Sequence, residues 1–174
     1  MNLYFKFIDM HVSEYWIKHL DLRAHPEGGY YKETYRSTEN IQLCGLPSRF
    51  SSPRTFSTAI YFLLRSQDKS LFHRIKSDEL WHFHYGGSLR IYVLRQENLS
   101  IFNLGSDLEN GDNLQVVIPA NSWFGAKLVL PDSYTLSSCT VSPGFDFKDF
   151  ELAERHKLLQ EFPQHAEIIQ ELTN

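Results

Sequence analysis

His73-Arg74-Ile75-Lys76-Ser77-Asp78-Glu79-Leu80-Trp81-His82-Phe83-His84-Tyr85-Gly86 is the stretch on which the fold turns. Two strand-like runs, one ending at Ile75 and one starting at Glu79, flank a polar turn at Lys76-Ser77-Asp78. A His and a Glu six residues apart converge if that turn folds one run back on the other. Both side chains then point into one barrel. Along the second run, alternation puts Glu79, Trp81, Phe83 and Tyr85 on one face and His82 and His84 on the other. A β-bulge would exchange those faces.

Outward from this hairpin the chain reads as a series of short strands. Toward the N-terminus, Ser57 to Leu64 is almost wholly apolar and is expected to be buried on both faces. Tyr30 to Arg36 alternates Tyr31, Glu33 and Tyr35 against Tyr30, Lys32 and Thr34. Leu71 to Ile75 and Glu79 to Tyr85 form the hairpin itself. Toward the C-terminus follow Leu89 to Leu94, Ser100 to Leu104, Gln115 to Ile118, Trp123 to Val129 and Tyr134 to Val141. Gly86-Gly87, Asn110-Gly111-Asp112-Asn113, Pro119 and Pro131-Asp132 separate them. Short strands at roughly 8–12-residue spacing indicate a sandwich or barrel. Residues 37 to 56 read as a loop.

Helical signals lie at the two ends. Ser13 is a plausible N-cap with Trp16, Ile17 and Leu20 on one face. After Pro143-Gly144, Asp149 is expected to cap a helix from Phe150 to Gln160, with Leu152, His156 and Leu159 on one face. Pro163 fits the first turn of a second helix ending near Leu172. With no internal repeat or linker, residues 1 to 174 read as a single domain. Its barrel core spans about 28 to 145 and its C-terminal helices about 149 to 172.

Composition excludes several classes. The 174 residues are 42% hydrophobic and 14% aromatic, which argues against disorder. Thirteen Phe and nine Tyr favour strands. The net charge of −4 shows no basic stripe for nucleic acid. No apolar run reaches the ~20 residues of a membrane span. Met1 to Met10 is interrupted by Lys6 and Asp9 and lacks the order of a secretion signal. Cys44 and Cys139 are too few for a disulfide framework, so a cytoplasmic protein is expected.

The opening stretch resembles the first cupin motif, with His73, Glu79 and Gly86 in register. Ile75 stands where that motif has a second His, and Gln67 where it has its leading Gly. The second motif is matched by Pro119-Ala120-Asn121-Ser122-Trp123-Phe124, where Asn121 replaces a Gly and Phe124 a His. Two of the four usual metal ligands are therefore apolar. A narrower resemblance rests on His25-Pro26-Glu27-Gly28-Gly29-Tyr30-Tyr31, Glu33-Thr34-Tyr35-Arg36-Ser37, Thr58 to Leu64, and Val141 to Phe147 with Asp149-Phe150-Glu151. By these segments the chain is identified as a member of cupin family five, similar to the sugar-nucleotide epimerase type of cupin. The resemblance implies an all-β cupin jelly roll, a double-stranded β-helix with short terminal helices, and a homodimer.

The expected site is a small-molecule pocket in the barrel. One reading is a sugar or sugar-phosphate isomerase or epimerase. In it His73 is the general base, Glu79 sets the pKa and orientation of that His, and Tyr85 or Tyr35 is the acid. The other is a non-catalytic carbohydrate-binding cupin with aromatic walls. A metal-dependent dioxygenase is a distant third, because the motif positions do not supply two His and a carboxylate. Glu33, Tyr35, Trp81, Phe83 and Phe124 are the candidate ligand contacts. No cofactor is expected beyond a weak divalent ion at His73 and Glu79. His25 to Gly29 reads as a structural turn leading into a strand, with a ligand clamp as the alternative, Asp146 and Asp149 as helix brackets, and Cys139 as a small buried apolar residue. His82 and His84 read as surface or interface histidines.

Overall fold

The computed structural model describes residues 13–174; the Met1 to Met10 stretch, with its expected lack of a secretion signal, lies outside them. A helix, α1, covers 13–19. The strands that follow are β1 (Arg23–Ala24), β2 (Tyr30–Arg36), β3 (Asn40–Ile41), β4 (Arg54–Thr55), β5 (Thr58–Arg65), β6 (Ser70–Arg74) and β7 (Asp78–Gly86). Then come β8 (Leu89–Arg95), β9 (Asn98–Leu104), β10 (Asp112–Asn113), β11 (Gln115–Ile118), β12 (Trp123–Leu128), β13 (Tyr134–Ser142) and β14 (Glu151–Leu152). Two helices, α2 (Arg155–Glu161) and α3 (Ala166–Glu171), follow.

Two six-stranded sheets face each other, in the orders β1-β2-β5-β13-β7-β11 and β10-β9-β8-β12-β6-β14. Neighbours are antiparallel except β9 and β10. The arrangement is the expected all-β jelly roll. Phe62, Trp81, Ile91, Phe124 and Ile118 are among the side chains that fill the space between the sheets. The outer face of the first sheet carries Leu63, Tyr134 and Leu136 under Trp16, Ile17 and Leu20. This two-sided cover explains the apolar run in β5, where Leu63 and Leu64 are 0% and 1% exposed. Full burial of such a side chain contributes about 1.5–3 kcal/mol. Leu158, Phe162, Ile169 and Leu172 cover the outer face of the second sheet.

Two bulges set which residues enter the barrel. In β2, Glu33 lies opposite Ile60 and Tyr35 opposite Ala59, leaving Thr34 as the extra residue. In β7, Phe83 lies opposite Ser137 and Tyr85 opposite Leu136, leaving His84 as the extra residue. Each bulge exchanges the faces beyond it. Gly86 ends β7 at φ +104°, where a Cβ would stand 2.1 Å from the Tyr134 carbonyl oxygen. Asn121 takes a φ of 61°, a left-handed conformation that Asn adopts more readily than most residues. This accounts for Asn in place of the motif Gly.

The C-terminal segment departs from expectation. Residues 147–149 form a 3-10 turn, and the Asp146 carboxylate accepts from the Lys148 amide at its start. Glu151 and Leu152 then add an edge strand to β6, so the helix starts at Arg155 rather than Phe150. Leu158 is its buried residue. Asp149 caps nothing; it is drawn inward by Arg54, with which it forms a buried ion pair.

Candidate functional site

A cavity of about 150 Å³ opens at one end of the barrel. His73 and Glu79 both line it. The turn His25 to Gly29 delivers two more side chains to its floor, His25 and Glu27. Gly28 makes this approach possible. Its φ is +113°, and a Cβ there would stand 2.0 Å from the Lys69 carbonyl oxygen. The Leu71 amide donates to the Glu27 carbonyl at 2.9 Å and ties the turn to β6.

The ion-pair partner of His73 is Glu27, not Glu79. His73 Nε2 donates to Glu27 Oε2 at 2.9 Å. Nδ1 is 2.8 Å from the Leu71 carbonyl oxygen, which can only accept, so Nδ1 also carries a proton. Burial opposes the charge on His73, but the Glu27 carboxylate outweighs it and holds the pKa above the ordinary value. Burial would likewise raise Glu27, and the His73 and His25 rings with Ser70 bring it below its usual range. The Ser70 hydroxyl donates to Glu27 Oε1 at 2.8 Å. His25 is pushed down by burial, against the pull of Glu27. Its Nδ1 lies 3.3 Å from the Glu27 amide nitrogen and 3.4 Å from Glu27 Oε2.

Glu79 is buried beside this pair, and no cation among the described residues pairs with it alone. Burial, reinforced by the Glu27 charge against the opposing pull of His73, pushes its pKa up to about 7. The Cys139 thiol hydrogen-bonds to Glu79, and burial holds that thiol protonated. The Trp81 indole N–H lies near the same carboxylate without completing a hydrogen bond.

The walls are aromatic and aliphatic: Tyr31, Phe62, Trp81 and Ile75 on the sheet side, Phe145, Phe147 and Phe150 opposite. The last three belong to the segment that Arg54 and Asp149 pin. At the mouth lie Arg23, Glu33 and Arg36. Arg36 Nε and Nη2 donate to Glu33 at 3.0 and 2.6 Å, and Nη1 donates to the Phe145 carbonyl oxygen at 3.1 Å.

The family model described as Cupin superfamily (DUF985) matches residues 14–153. The chain belongs to this cupin family. An uncharacterized protein of Saccharomyces cerevisiae is 33% identical over 138 residues, covering 74% of this chain and 68% of its own. A hypothetical protein from Leishmania major is 34% identical with a TM-score of 0.84, covering 92% of this chain and 97% of its own. A Shewanella oneidensis protein is 40% identical with a TM-score of 0.83, covering 92% and 96%. Oxalate decarboxylase from Bacillus subtilis is 15% identical with a TM-score of 0.53, covering 88% of this chain and 37% of its own. That likeness shows the fold alone. No helix among the described residues is long and apolar enough to cross a membrane.

The four-ligand metal site of the two cupin motifs does not fit these residues. Ile75 lines the cavity, and Phe124 packs its ring 4.1 Å from that of His73. Both nitrogens of His73 are committed, one to Glu27 and one to a carbonyl. Among the described residues no three His, Cys, Asp or Glu side chains are grouped to hold an ion.

Of the residues singled out in the sequence, His73, Glu79, Trp81 and Glu33 line the cavity of this cupin. Tyr35 and Tyr85 do not; they are 54% and 56% exposed. The Thr34 bulge turns Tyr35 outward and brings Arg36 to the mouth instead. The His84 bulge sends Tyr85 to the outer face, where its ring lies 6.2 Å from Tyr134. Phe83 packs against the core rather than the cavity. Phe124 is wholly buried behind His73. His82 and His84 face outward, His82 beside Gln115 and His84 beside Tyr61. Tyr31, Arg23 and Arg36 are not among the sequence candidates, and His25 and Glu27 enter only through the less favoured reading of their turn as a ligand clamp. Tyr31 was within reach, since it shares an alternation face with Glu33. The other four depended on a turn or a bulge.

Proposed function

We propose that this cupin binds a small hydroxylated ring compound, a sugar or sugar phosphate, and isomerises it by proton transfer through Glu79. What supports this is the buried Glu79 carboxyl, held near pH 7 beside a His73–Glu27 pair that is already charge-balanced. A group whose pKa lies near the working pH is suited to take a proton and return it.

His73 is not the base, because neither of its nitrogens offers a lone pair to the cavity. It fixes Glu27 and sets the field at Glu79. The ionised Glu79 removes a proton from carbon beside a carbonyl and becomes the acid that delivers it to the neighbouring carbon. The second proton passes between the two oxygens. His25 suits the carbonyl end, because burial disfavours the charged ring and no described residue engages its Nε2. A single titrating carboxyl favours such a shift between adjacent carbons over epimerisation, which exchanges a proton across two faces of one carbon.

The chamber also supports a second reading, a binding cupin without turnover. Aromatic walls around a few polar anchors bind a ring with no need of chemistry. The test is a panel of aldoses, ketoses and their phosphates in deuterated water, followed by isomer ratio and solvent-deuterium incorporation. Glu79→Gln should lower turnover about 10²–10⁴-fold with binding retained, and the wild-type rate should rise with pH through about 7. Ligand binding without exchange by wild type selects the binding cupin; turnover unchanged in Glu79→Gln removes the mechanism.

A further inference from the structure

Arg23 is a cation at the cavity mouth that the proposed chemistry leaves unused. It stands on β1 directly opposite Tyr31 on β2. Its guanidinium carbon lies 5.2 Å from the centre of the Tyr31 ring. Tyr31 is itself held edge-on against His25 at 4.5 Å, so the stack is anchored in the cavity wall. A guanidinium lying over a ring keeps its N–H donors free at the edge. Among the described residues no carboxylate pairs with Arg23. Arg36 differs, since its fork is spent on Glu33 and the Phe145 carbonyl.

The floor explains why a charged group on the ligand belongs at the mouth. His73 and Glu27 neutralise each other, and among the described residues Glu79 has no cation paired with it alone. A ligand anion driven down to Glu79 would meet a carboxylate in a buried setting, which is costly. At the mouth, Arg23 is exposed and uncompensated, in a chain of net charge −4. A chamber of about 150 Å³ takes a six-membered ring, which leaves an exocyclic group outside.

We propose that Arg23 forms an anion subsite at the mouth, and that the ligand is an acidic sugar. Its phosphate or carboxylate rests on the Arg23 guanidinium while its uncharged end faces Glu79 and His25. This deepens the isomerase reading and rests on it for the inner end of the ligand, yet it is tested by binding alone.

The experiment is calorimetry of the full chain with hexoses and pentoses, their terminal phosphates, the matching uronates, and inorganic phosphate. Phosphorylated or uronic forms should bind about tenfold or more tightly than the parent sugars. Arg23→Gln should erase that advantage without weakening the parent sugars or lowering the melting temperature, and Arg23→Lys should restore part of it. Preference for phosphates over uronates, or the reverse, identifies the acidic group. Equal binding of charged and neutral sugars overturns the subsite. So does an advantage that survives Arg23→Gln, binding of inorganic phosphate as tight as any sugar phosphate, or no binding by any probe. The isomerase reading fails separately: if the charged sugars bind through Arg23 and no solvent deuterium enters them, the subsite stands and the chemistry does not.

Discussion

Two buried ion pairs, one lining the cavity and one holding the segment that supplies part of its wall, are built for different ends. Arg54 and Asp149 meet in a two-point fork, with Nε and Nη2 each 2.6 Å from a carboxylate oxygen. Arg54 Nη1 is spent on the carbonyls of Ser52 and Pro53. Both side chains are almost wholly buried. His73 and Glu27 are as deeply buried, but they face a cavity and stand beside a third titratable group. An arginine keeps its proton in a protein, whereas a histidine can release one. The first pair is therefore permanently charged and fixes the segment that carries Phe147 and Phe150. The second can be discharged, and its neighbour Glu79 titrates in the neutral range.

The contrast is broken most sharply by removing one carboxylate from each pair. Asp149→Ala strands the Arg54 charge in the interior, and loss of a partner from such a pair costs about 3–5 kcal/mol. Glu27→Gln leaves His73 free to shed its proton, so we expect a loss of about 1–2 kcal/mol. The His73 pKa should also fall, since burial then acts against Glu79 and the Leu71 carbonyl without the Glu27 carboxylate. Denaturant melts give the two stability losses, and imidazole NMR shifts against pH give the titration. Equal losses would show that the histidine does not relieve the pair by deprotonating.

A smaller effect separates Glu79 from both pairs. In the folded chain it holds its proton to about pH 7, while its ordinary value is 4.5. Its contribution to stability is full below about 4.5 and is lost as pH rises toward 7, because the unfolded chain gives up the proton first. The difference amounts to about 3 kcal/mol. His73, raised as well, adds a loss of its own as pH climbs from its ordinary value to its folded one, and Glu79→Gln shrinks that loss too, because the Glu79 charge is one of the groups that raise His73. The variant should therefore show a flatter stability profile between pH 5 and 8 and overtake wild type at the upper end. Parallel profiles would place the near-neutral titration elsewhere.

The sequence revealed the barrel more fully than the site. Strand alternation and turn residues located the hairpin at Lys76 to Asp78, the buried β5 and the run of strands to Val141, because period two and Gly or Pro punctuation are local signals. His73 and Glu79 followed from spacing across one turn. Glu27 did not, since nothing local shows that a glycine-rich turn folds back against β6 to reach His73. The C-terminal helix begins later than its sequence pattern suggests for a similar reason. Phe150 to Leu152 has no helical defect of its own; its strand pairing with β6 and the pull of Arg54 on Asp149 are long-range. Bulges are the third case. Thr34 and His84 look like ordinary strand residues, yet each reverses the faces after it and so misdirects Tyr35 and Tyr85.

Those tyrosines give the finest test of where the cavity ends. Tyr31, before the Thr34 bulge, lines the chamber, lies under Arg23 and meets His25 edge-on. Tyr35, one residue past the bulge, and Tyr85, past the bulge in β7, are more than half exposed. Exposed substitutions away from special features usually stay within about 0.5 kcal/mol. Tyr35→Ala and Tyr85→Phe should therefore leave melting temperature, ligand affinity and turnover close to wild type. Tyr85→Phe is the gentler choice because that ring also packs beside Trp16 and Tyr134. Tyr31→Ala removes the platform under Arg23 and should weaken acidic sugars more than neutral ones, by a few-fold, given the ~0.5–1 kcal/mol of an exposed cation–π contact. If Tyr35→Ala matched Tyr31→Ala in that selective loss, the bulge would not divide inward from outward residues, and the strand would have to be read in the uninterrupted register that its alternation suggests.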